Sequence, residues 1–156
     1  MDMNSCRVCS QPARYHGTVS VCSDTCFQQL DPNPPYDFGN IERDTLANED
    51  YRRVLFTSQQ QQLVVQNILP TESIPAEVHP HTTQFIRIEQ GSGYAVFNEL
   101  RQITLSKTTN DFVLVGAGVK HEVRVAGTKP LKLYTIYSPP HHPHDLVQKR
   151  QPFIVT

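Results

Sequence analysis

Four side chains that can bind a metal ion lie within eight residues of the chain, at Glu77, His79, His81 and Gln84. They come just before an alternating apolar segment, and one further candidate, His121, follows a later glycine-rich turn. Imidazole and carboxylate groups are good ligands for divalent transition metals. If the segments around them are neighbouring strands, these side chains converge. The layout therefore predicts one mononuclear metal site in a small β-barrel.

All four cysteines lie in the first 26 residues, in two close pairs. Cys6 and Cys9 are separated by two residues, and Cys22 and Cys26 by three. Two thiolate pairs can close a tetrahedral shell around Zn²⁺. The spacing predicts a four-cysteine zinc-binding module over residues 1–30. Two disulfides or free thiols are the alternative, although clustered cysteines in a reducing compartment more often bind metal.

The segment between the two cysteine pairs predicts a β-hairpin. Gly17 can form the turn, and Val19 and Val21 alternate after it. About thirty residues bury too little apolar surface to fold alone, so the metal would supply the folding free energy. His16 is interpreted as a turn residue, because four cysteines already complete the site.

The cysteine spacing and the closing Val-Cys-Ser-x-x-Cys-Phe segment resemble the FCS/MYM-like group of small treble-clef zinc fingers. The resemblance implies a structural zinc ion and a module that contacts a protein or a nucleic acid. A net charge of −1, and only Arg7 and Arg14 as basic residues in the first 30, argue against nucleic acid. A protein partner is therefore the expected one.

The remainder of the chain divides into three segments. Residues 31–50 predict a proline-rich linker and a short helix, which begins after Asn40 and extends from Ile41 toward Arg53. Residues 51–140 combine alternating apolar segments with turn signals, which favours an antiparallel sandwich or barrel. Its strands are expected at Gln62–Leu69, Gln84–Ile88, Gly93–Phe97, Gln102–Leu105, Asp111–Val115, Glu122–Val125 and Leu131–Tyr137.

Residues 141–156 predict a C-terminal arm rich in histidine and proline. His141, His142 and His144 fall within four positions. Such a group can capture metal ions adventitiously. We expect instead an ordered proline-rich arm whose histidines face solvent.

The barrel segment resembles the cupin superfamily. The first cupin motif has two histidines separated by one residue, a carboxylate four or five positions later, then six residues and a glycine. With Glu77 and His79 as the first pair, Gln84 follows a four-residue gap and Gly91 follows six residues later. With His79 and His81 as the pair, the spacing is one residue short. We prefer the first register, and His81 in place of Glu77 is the alternative.

The second cupin motif is similar to the segment from Asp111 to His121, which contains a strand, a tight turn and a histidine. Gly116 stands where the family usually has proline. The segment Leu131–Tyr137 resembles the closing strand of single-domain cupins, a group often described as mannose-6-phosphate-isomerase-like. The resemblance implies a mainly β, jelly-roll-type cupin barrel, here preceded by the treble-clef-like zinc module.

The resemblance also implies a metal-ligand set in the barrel, formed by Glu77, His79, Gln84 and His121. Two departures from the family pattern weaken the site, since Glu77 replaces a histidine and Gln84 replaces a carboxylate. Two histidines and one carboxylate still suit Fe(II), Mn(II), Ni(II) or Zn(II). One carboxylate against a divalent ion leaves a net positive charge, which favours an anionic ligand.

We expect a metal-binding cupin that binds or acts on a small oxygen-bearing molecule, anionic or sugar-like. Its chemistry would be that of a metal-dependent isomerase or a dioxygenase-type cupin, although no residue can be nominated as the base. The alternative is a non-catalytic cupin that binds a small ligand or protein and is tethered to a partner by its zinc module.

The overall composition limits the remaining classes. No apolar segment approaches the roughly 20 residues of a transmembrane helix, and the N-terminus lacks a signal sequence. We therefore expect a soluble, cytoplasmic protein without membrane contact. The balanced charge disfavours nucleic acid, and the cupin resemblance implies a homodimer.

Overall fold

The computed structural model describes residues 14–16, 19–21 and 37–152 and divides the chain into two units, Met1–Asp37 and Phe38–Thr156. In the first unit, β1 (Arg14–His16) pairs antiparallel with β2 (Val19–Val21), which confirms the predicted hairpin. The four predicted zinc ligands, Cys6, Cys9, Cys22 and Cys26, lie outside the described residues.

The second unit begins with a short helix, α1 (Ile41–Ala47). Asn40 caps it as predicted, because its Oδ1 accepts a hydrogen bond of 2.9 Å from the backbone N–H of Arg43. The predicted extension to Arg53 is wrong. The side chain of Asn48 donates to the carbonyl of Asp50 at 2.8 Å and accepts from its N–H at 3.3 Å, which directs the chain out of the helix. No helix in residues 37–152 is long and apolar enough to cross a bilayer.

Ten strands follow and form two antiparallel sheets, so the predicted mainly β barrel is confirmed for this unit. The six-stranded sheet has the order β12-β3-β4-β11-β6-β9, and the four-stranded sheet has the order β5-β10-β7-β8. Strand β12 extends the larger sheet beyond residue 140, where the barrel was expected to end. The strands are β3 (Arg52–Thr57), β4 (Gln62–Ile68), β5 (Ser73–Glu77), β6 (Thr83–Gln90), β7 (Ser92–Phe97), β8 (Arg101–Ser106), β9 (Phe112–Val115), β10 (His121–Ala126), β11 (Leu131–Ser138) and β12 (Val147–Gln148).

The apolar core lies between the two sheets, and both contribute to it. Alternation in each strand turns every second side chain inward, and each fully buried aliphatic side chain contributes about 1.5–3 kcal/mol of stabilisation. Helix α1 packs against β4, β6 and β11 of the larger sheet. The aliphatic residues of the main core cluster are Ile68, Ile86, Ile88, Leu131 and Leu133 from the larger sheet, with Ile74, Ala95, Leu105 and Val123 from the smaller one.

The turn between β9 and β10 is held by a glycine. Gly118 has φ +80° and its N–H donates to the carbonyl of His79 at 2.8 Å, which ties two loops at the same end of the barrel. A Cβ at Gly118 would meet no heavy atom within 4 Å, so the backbone conformation is what requires glycine here. Gly116, in the same turn, is equally open and has no positive φ.

This pair allows a matched test of backbone strain. We expect Gly118→Ala to lower the free energy of unfolding by about 1–2 kcal/mol, because an L-residue is disfavoured at positive φ. Gly116→Ala should leave it unchanged or raise it slightly. Urea unfolding of both variants measures the difference. Equal unfolding free energies for the two variants would contradict this interpretation of the turn.

Candidate metal centre

Three potential metal ligands converge at one end of the barrel. Glu77 ends β5, His79 lies in the loop that follows, and His121 begins β10. Backbone pairing of β5 with β10 places His121 directly opposite Glu77. One ligand atom from each side chain lies within 4.8 Å of the other two. The three residues can therefore hold one metal ion.

Gln84 brings an amide oxygen to the same place from the opposite sheet. It is fully buried on β6, and its Oε1 lies 2.8 Å from Nε2 of His121. Its Nε2 donates to the hydroxyl oxygen of Tyr137 at 3.0 Å, and Tyr137 is its pairing partner on β11. With the amide in this orientation, its oxygen is the atom that faces His121.

The backbone fixes the proton on the ring of His121. Nδ1 lies 2.9 Å from the carbonyl oxygen of Val119, which can only accept, so Nδ1 carries a hydrogen. In the neutral ring, Nε2 then presents a lone pair, yet it faces Oε1 of Gln84 at 2.8 Å and Oε1 of Glu77 at 3.6 Å. Buried acceptors that face one another are unfavourable. The position therefore calls for a cation, either a proton on Nε2 or a metal ion.

The charges at the site favour a cation. Burial opposes ionisation of Glu77, but its contacts with His121 and His79 outweigh burial and hold the pKa of the carboxyl well below its usual range. Burial also disfavours a charged His121, but the contacts with Glu77 and Val119 raise the pKa of this imidazole. At neutral pH, Glu77 is therefore a carboxylate, and its contact favours the protonated form of His121 when no metal is bound.

His79 is held in a different way. Its Nε2 lies 3.1 Å from Oε1 of Glu77, while its buried Nδ1 has no hydrogen-bond partner among residues 37–152. Packing positions the ring instead. It meets Tyr137 edge-on with 5.7 Å between ring centroids, and its backbone carbonyl accepts from Gly118.

The C-terminal arm brings two more histidines to this end of the barrel. Gln62 holds the arm, because its Oε1 accepts from the backbone N–H of His142 at 2.9 Å and its Nε2 donates to the carbonyl of the same residue at 2.8 Å. The ring centroid of His141 lies 4.1 Å from the ring centroid of His79. The predicted ordered arm is therefore confirmed. Exposure to solvent is confirmed for His141 and His144, whereas His142 is partly buried. The prediction missed the ring contacts of His141 with His79 and of His142 with Tyr137.

His81, the alternative ligand, is exposed, whereas the side chain of Glu77 is about three-quarters buried and lies beside the two histidines. The structure thus brings together Glu77, His79, Gln84 and His121 and leaves His81 outside the group. Tyr137 was not among the predicted site residues. Alternation along β11 could have placed it on the inner face, but its contact with Gln84 depends on strand register, which the sequence does not state.

The sequence matches the model of the cupin domain over residues 64–137. Protein L612 of Acanthamoeba polyphaga mimivirus, described as uncharacterized, is 40% identical over 114 residues, which cover 72% of this chain and 71% of that protein. The uncharacterized protein YrkC of Bacillus subtilis strain 168 is 36% identical over 113 residues, which cover 70% of this chain. That match spans 61% of YrkC, which is less than two thirds of its length.

Solved structures show the same fold. BH2720 from Bacillus halodurans is 38% identical, with a TM-score of 0.71, over 77% of this chain and 92% of that one. A conserved protein with a double-stranded β-helix domain from Klebsiella pneumoniae is 20% identical, with a TM-score of 0.53, over 60% of this chain and 79% of that one, and supports the fold alone. The chain therefore belongs to the cupin family, and its cupin domain lies at residues 64–137.

Proposed function

We propose that the cupin barrel binds one divalent metal ion through Glu77, His79 and His121 and uses it to bind or transform a small oxygen-bearing molecule. The observation that carries this proposal is the ring of His121. Its Nδ1 hydrogen is committed to Val119, and its Nε2 faces two oxygen atoms. A metal ion at that point would be bound by the nitrogen and oxygen atoms that otherwise oppose one another.

The donor set indicates the class of metal. Two imidazoles and one carboxylate suit Fe(II), Mn(II), Ni(II) or Zn(II). The amide oxygen of Gln84 is a weaker donor, so a ligand can take its place. A divalent ion bound there would supply Lewis acidity to an oxygen atom of the ligand. One carboxylate leaves the loaded site positively charged, which favours an anionic ligand.

The surrounding side chains orient rather than transfer protons. Burial raises the pKa of Tyr137, so its hydroxyl stays neutral and holds the amide of Gln84 in place. Glu77 is committed to the two histidines. Metal-dependent isomerase or dioxygenase-type chemistry, the reaction classes that the cupin resemblance suggests, is the catalytic form of this proposal.

A second candidate function concerns the N-terminal unit. We propose that the four cysteines hold a structural zinc ion and that the module tethers the barrel to a partner protein. The paired strands β1 and β2 support it, because they occupy the sequence between the two cysteine pairs, as a metal-stapled hairpin requires.

Metal content tests the barrel site. After loading with Fe(II), Mn(II), Ni(II) or Zn(II) and removal of free ions, the wild-type full chain should hold one equivalent more than His121→Ala for at least one of these metals. The cysteines are unchanged in both proteins, so the difference reports the barrel alone. His81→Ala is the matched control and should match the wild type, since His81 is exposed. Equal content in the wild type and His121→Ala for all four metals would contradict the proposal.

The apparent metal affinity should depend on pH. A metal must displace the proton from His121, whose pKa is raised above the ordinary value of about 6.5. Affinity should therefore be constant above that raised pKa and fall below it, by up to about tenfold per pH unit for each proton displaced. Competition titrations between about pH 5.5 and 8.5 measure this. An affinity that does not change over that range would count against His121 as a ligand.

Zinc analysis tests the second candidate. Cys22→Ser should remove one zinc equivalent per chain and leave the barrel metal in place, because each thiolate is one of four ligands. Ser23→Ala, the neighbouring position, should keep full zinc content. Unchanged zinc in Cys22→Ser would show that the cysteines do not form a metal site.

A further inference from the structure

The barrel interior holds a second group of polar side chains, farther from the mouth than the candidate metal ligands. Gln66 on β4 and Thr135 on β11 are fully buried. Thr135 lies two residues from Tyr137 on the same face, which places it about 7 Å farther along the strand. Gln66 pairs with Leu133, a core residue, so both polar side chains point into the barrel.

Within residues 37–152, the amide of Gln66 lacks hydrogen-bond partners, and the hydroxyl of Thr135 has only a loose contact with Tyr137. In the described part of the chain, neither Nε2 nor Oε1 of Gln66 has a partner, and Oγ1 of Thr135 forms no hydrogen bond of ordinary geometry. Gln62, four residues earlier on β4, is bonded through both atoms of its amide. Each buried polar atom left without a partner costs about 1–3 kcal/mol. The two amide atoms of Gln66, with the weakly bonded hydroxyl of Thr135, indicate a position that a polar guest completes.

Arg52 adds a positive charge to this interior. It precedes Arg53, which pairs with Val65, so Arg52 is placed beside Gln66 across β3 and β4. Arg52 is 8% exposed and is the only lysine or arginine among the buried residues of the described segments. Its Nη1 donates to Oε1 of Gln148 at 3.3 Å, while its Nε has no partner.

Arg52 has no carboxylate within ion-pair distance in the described residues, whereas Arg53 lies 3.9 Å from a carboxylate oxygen of Asp50. Its guanidinium lies 5.5 Å from the ring centroid of Tyr51, and, after burial and the two histidines, the charge of Arg52 also lowers the pKa of Glu77. A guanidinium is always charged, and burying a charge without a close counter-ion is unfavourable.

The positive charge of Arg52 also acts at the barrel mouth. Burial, and then Arg52, lower the pKa of His142 there to about 3. Because the Glu77 carboxylate is shared with His79 and His121, the interior favours an additional anion beside Arg52.

The chemistry of the anion follows from these groups. Water can satisfy Gln66 and Thr135 but does not neutralise Arg52. A guanidinium binds both oxygens of a carboxylate in one plane, and a single arginine matches a single negative charge better than a phosphate dianion. We propose that Arg52, Gln66 and Thr135 bind the carboxylate of a small organic acid whose other end reaches the metal group. This substrate class rests on the proposed function, but the carboxylate contact itself needs no metal.

Propionate and its neutral isostere propionamide are the probes for this contact. With chloride balancing the ionic strength, propionate should raise the Tm of the wild-type full chain more than propionamide does, since ligand binding stabilises the folded state. Arg53→Met should behave like the wild type, because Arg53 is exposed on the same strand. In Arg52→Met the apparent Kd for propionate should rise at least about tenfold.

Two further measurements keep the test decisive if Arg52→Met does not fold. Arg52→Lys keeps the charge but loses the planar fork, and should bind propionate about tenfold more weakly. The NMR signal of the Arg52 Nε–H in the wild type should shift on titration with propionate. An unshifted signal would overturn the proposal. Equal propionate binding in the Arg52 variants and the wild type, or tighter binding of inorganic phosphate than of propionate, would overturn it as well.

The metal experiment separates this inference from the proposed function. Propionate binding that depends on Arg52, in a chain whose barrel takes up no metal, would overturn the metal site and support the anion subsite. Metal uptake that depends on His121, without propionate binding that depends on Arg52, would support the metal site and overturn the anion subsite.

Discussion

The hydrogen bond between Nδ1 of His121 and the carbonyl of Val119 determines what the mouth of this barrel can bind. It commits the only hydrogen of the neutral ring to the backbone and turns the other nitrogen toward Gln84 and Glu77. The same turn orients the second histidine, because Gly118 donates to the carbonyl of His79. One short glycine-containing loop thus positions two imidazoles, and the requirement for a cation follows from where the Nε2 lone pair of His121 points.

The barrel separates stability from function along its length. Its apolar part, with Ile68, Ile86 and Leu131, buries side chains from both sheets and supplies the folding free energy. Toward the mouth, the inward positions of the same strands are polar, as at Gln66, Thr135 and Gln84. Buried polar groups without partners lower stability, so the apolar part must offset them. A ligand that completes these groups would recover much of that cost.

Much of the fold was predictable, because strand alternation and turn residues are local properties. Strand β5 was missed because Pro75 interrupts its pattern. Proline is tolerated there since β5 lies at the edge of its sheet, and edge position is a property of topology rather than of local sequence. The helix prediction extended too far because the bonds between the Asn48 side chain and the Asp50 backbone compete with helix formation in a way that propensity alone does not reveal.

The candidate site was predictable in part for a related reason. Motif spacing identified Glu77, His79, Gln84 and His121, which the structure brings together. Spacing could not connect them with Arg52, since a charged residue is usually exposed and its burial depends on strand pairing far along the chain. The contact between His141 and His79 likewise depends on how Gln62 holds the C-terminal arm.

Anomalous X-ray diffraction from crystals of the metal-loaded full chain tests the central claim most directly. We predict a peak within about 2.0–2.3 Å of Nε2 of His79, Nε2 of His121 and a carboxylate oxygen of Glu77. No peak between these three side chains, with metal bound only by the cysteines or elsewhere, would contradict a metal centre in the barrel.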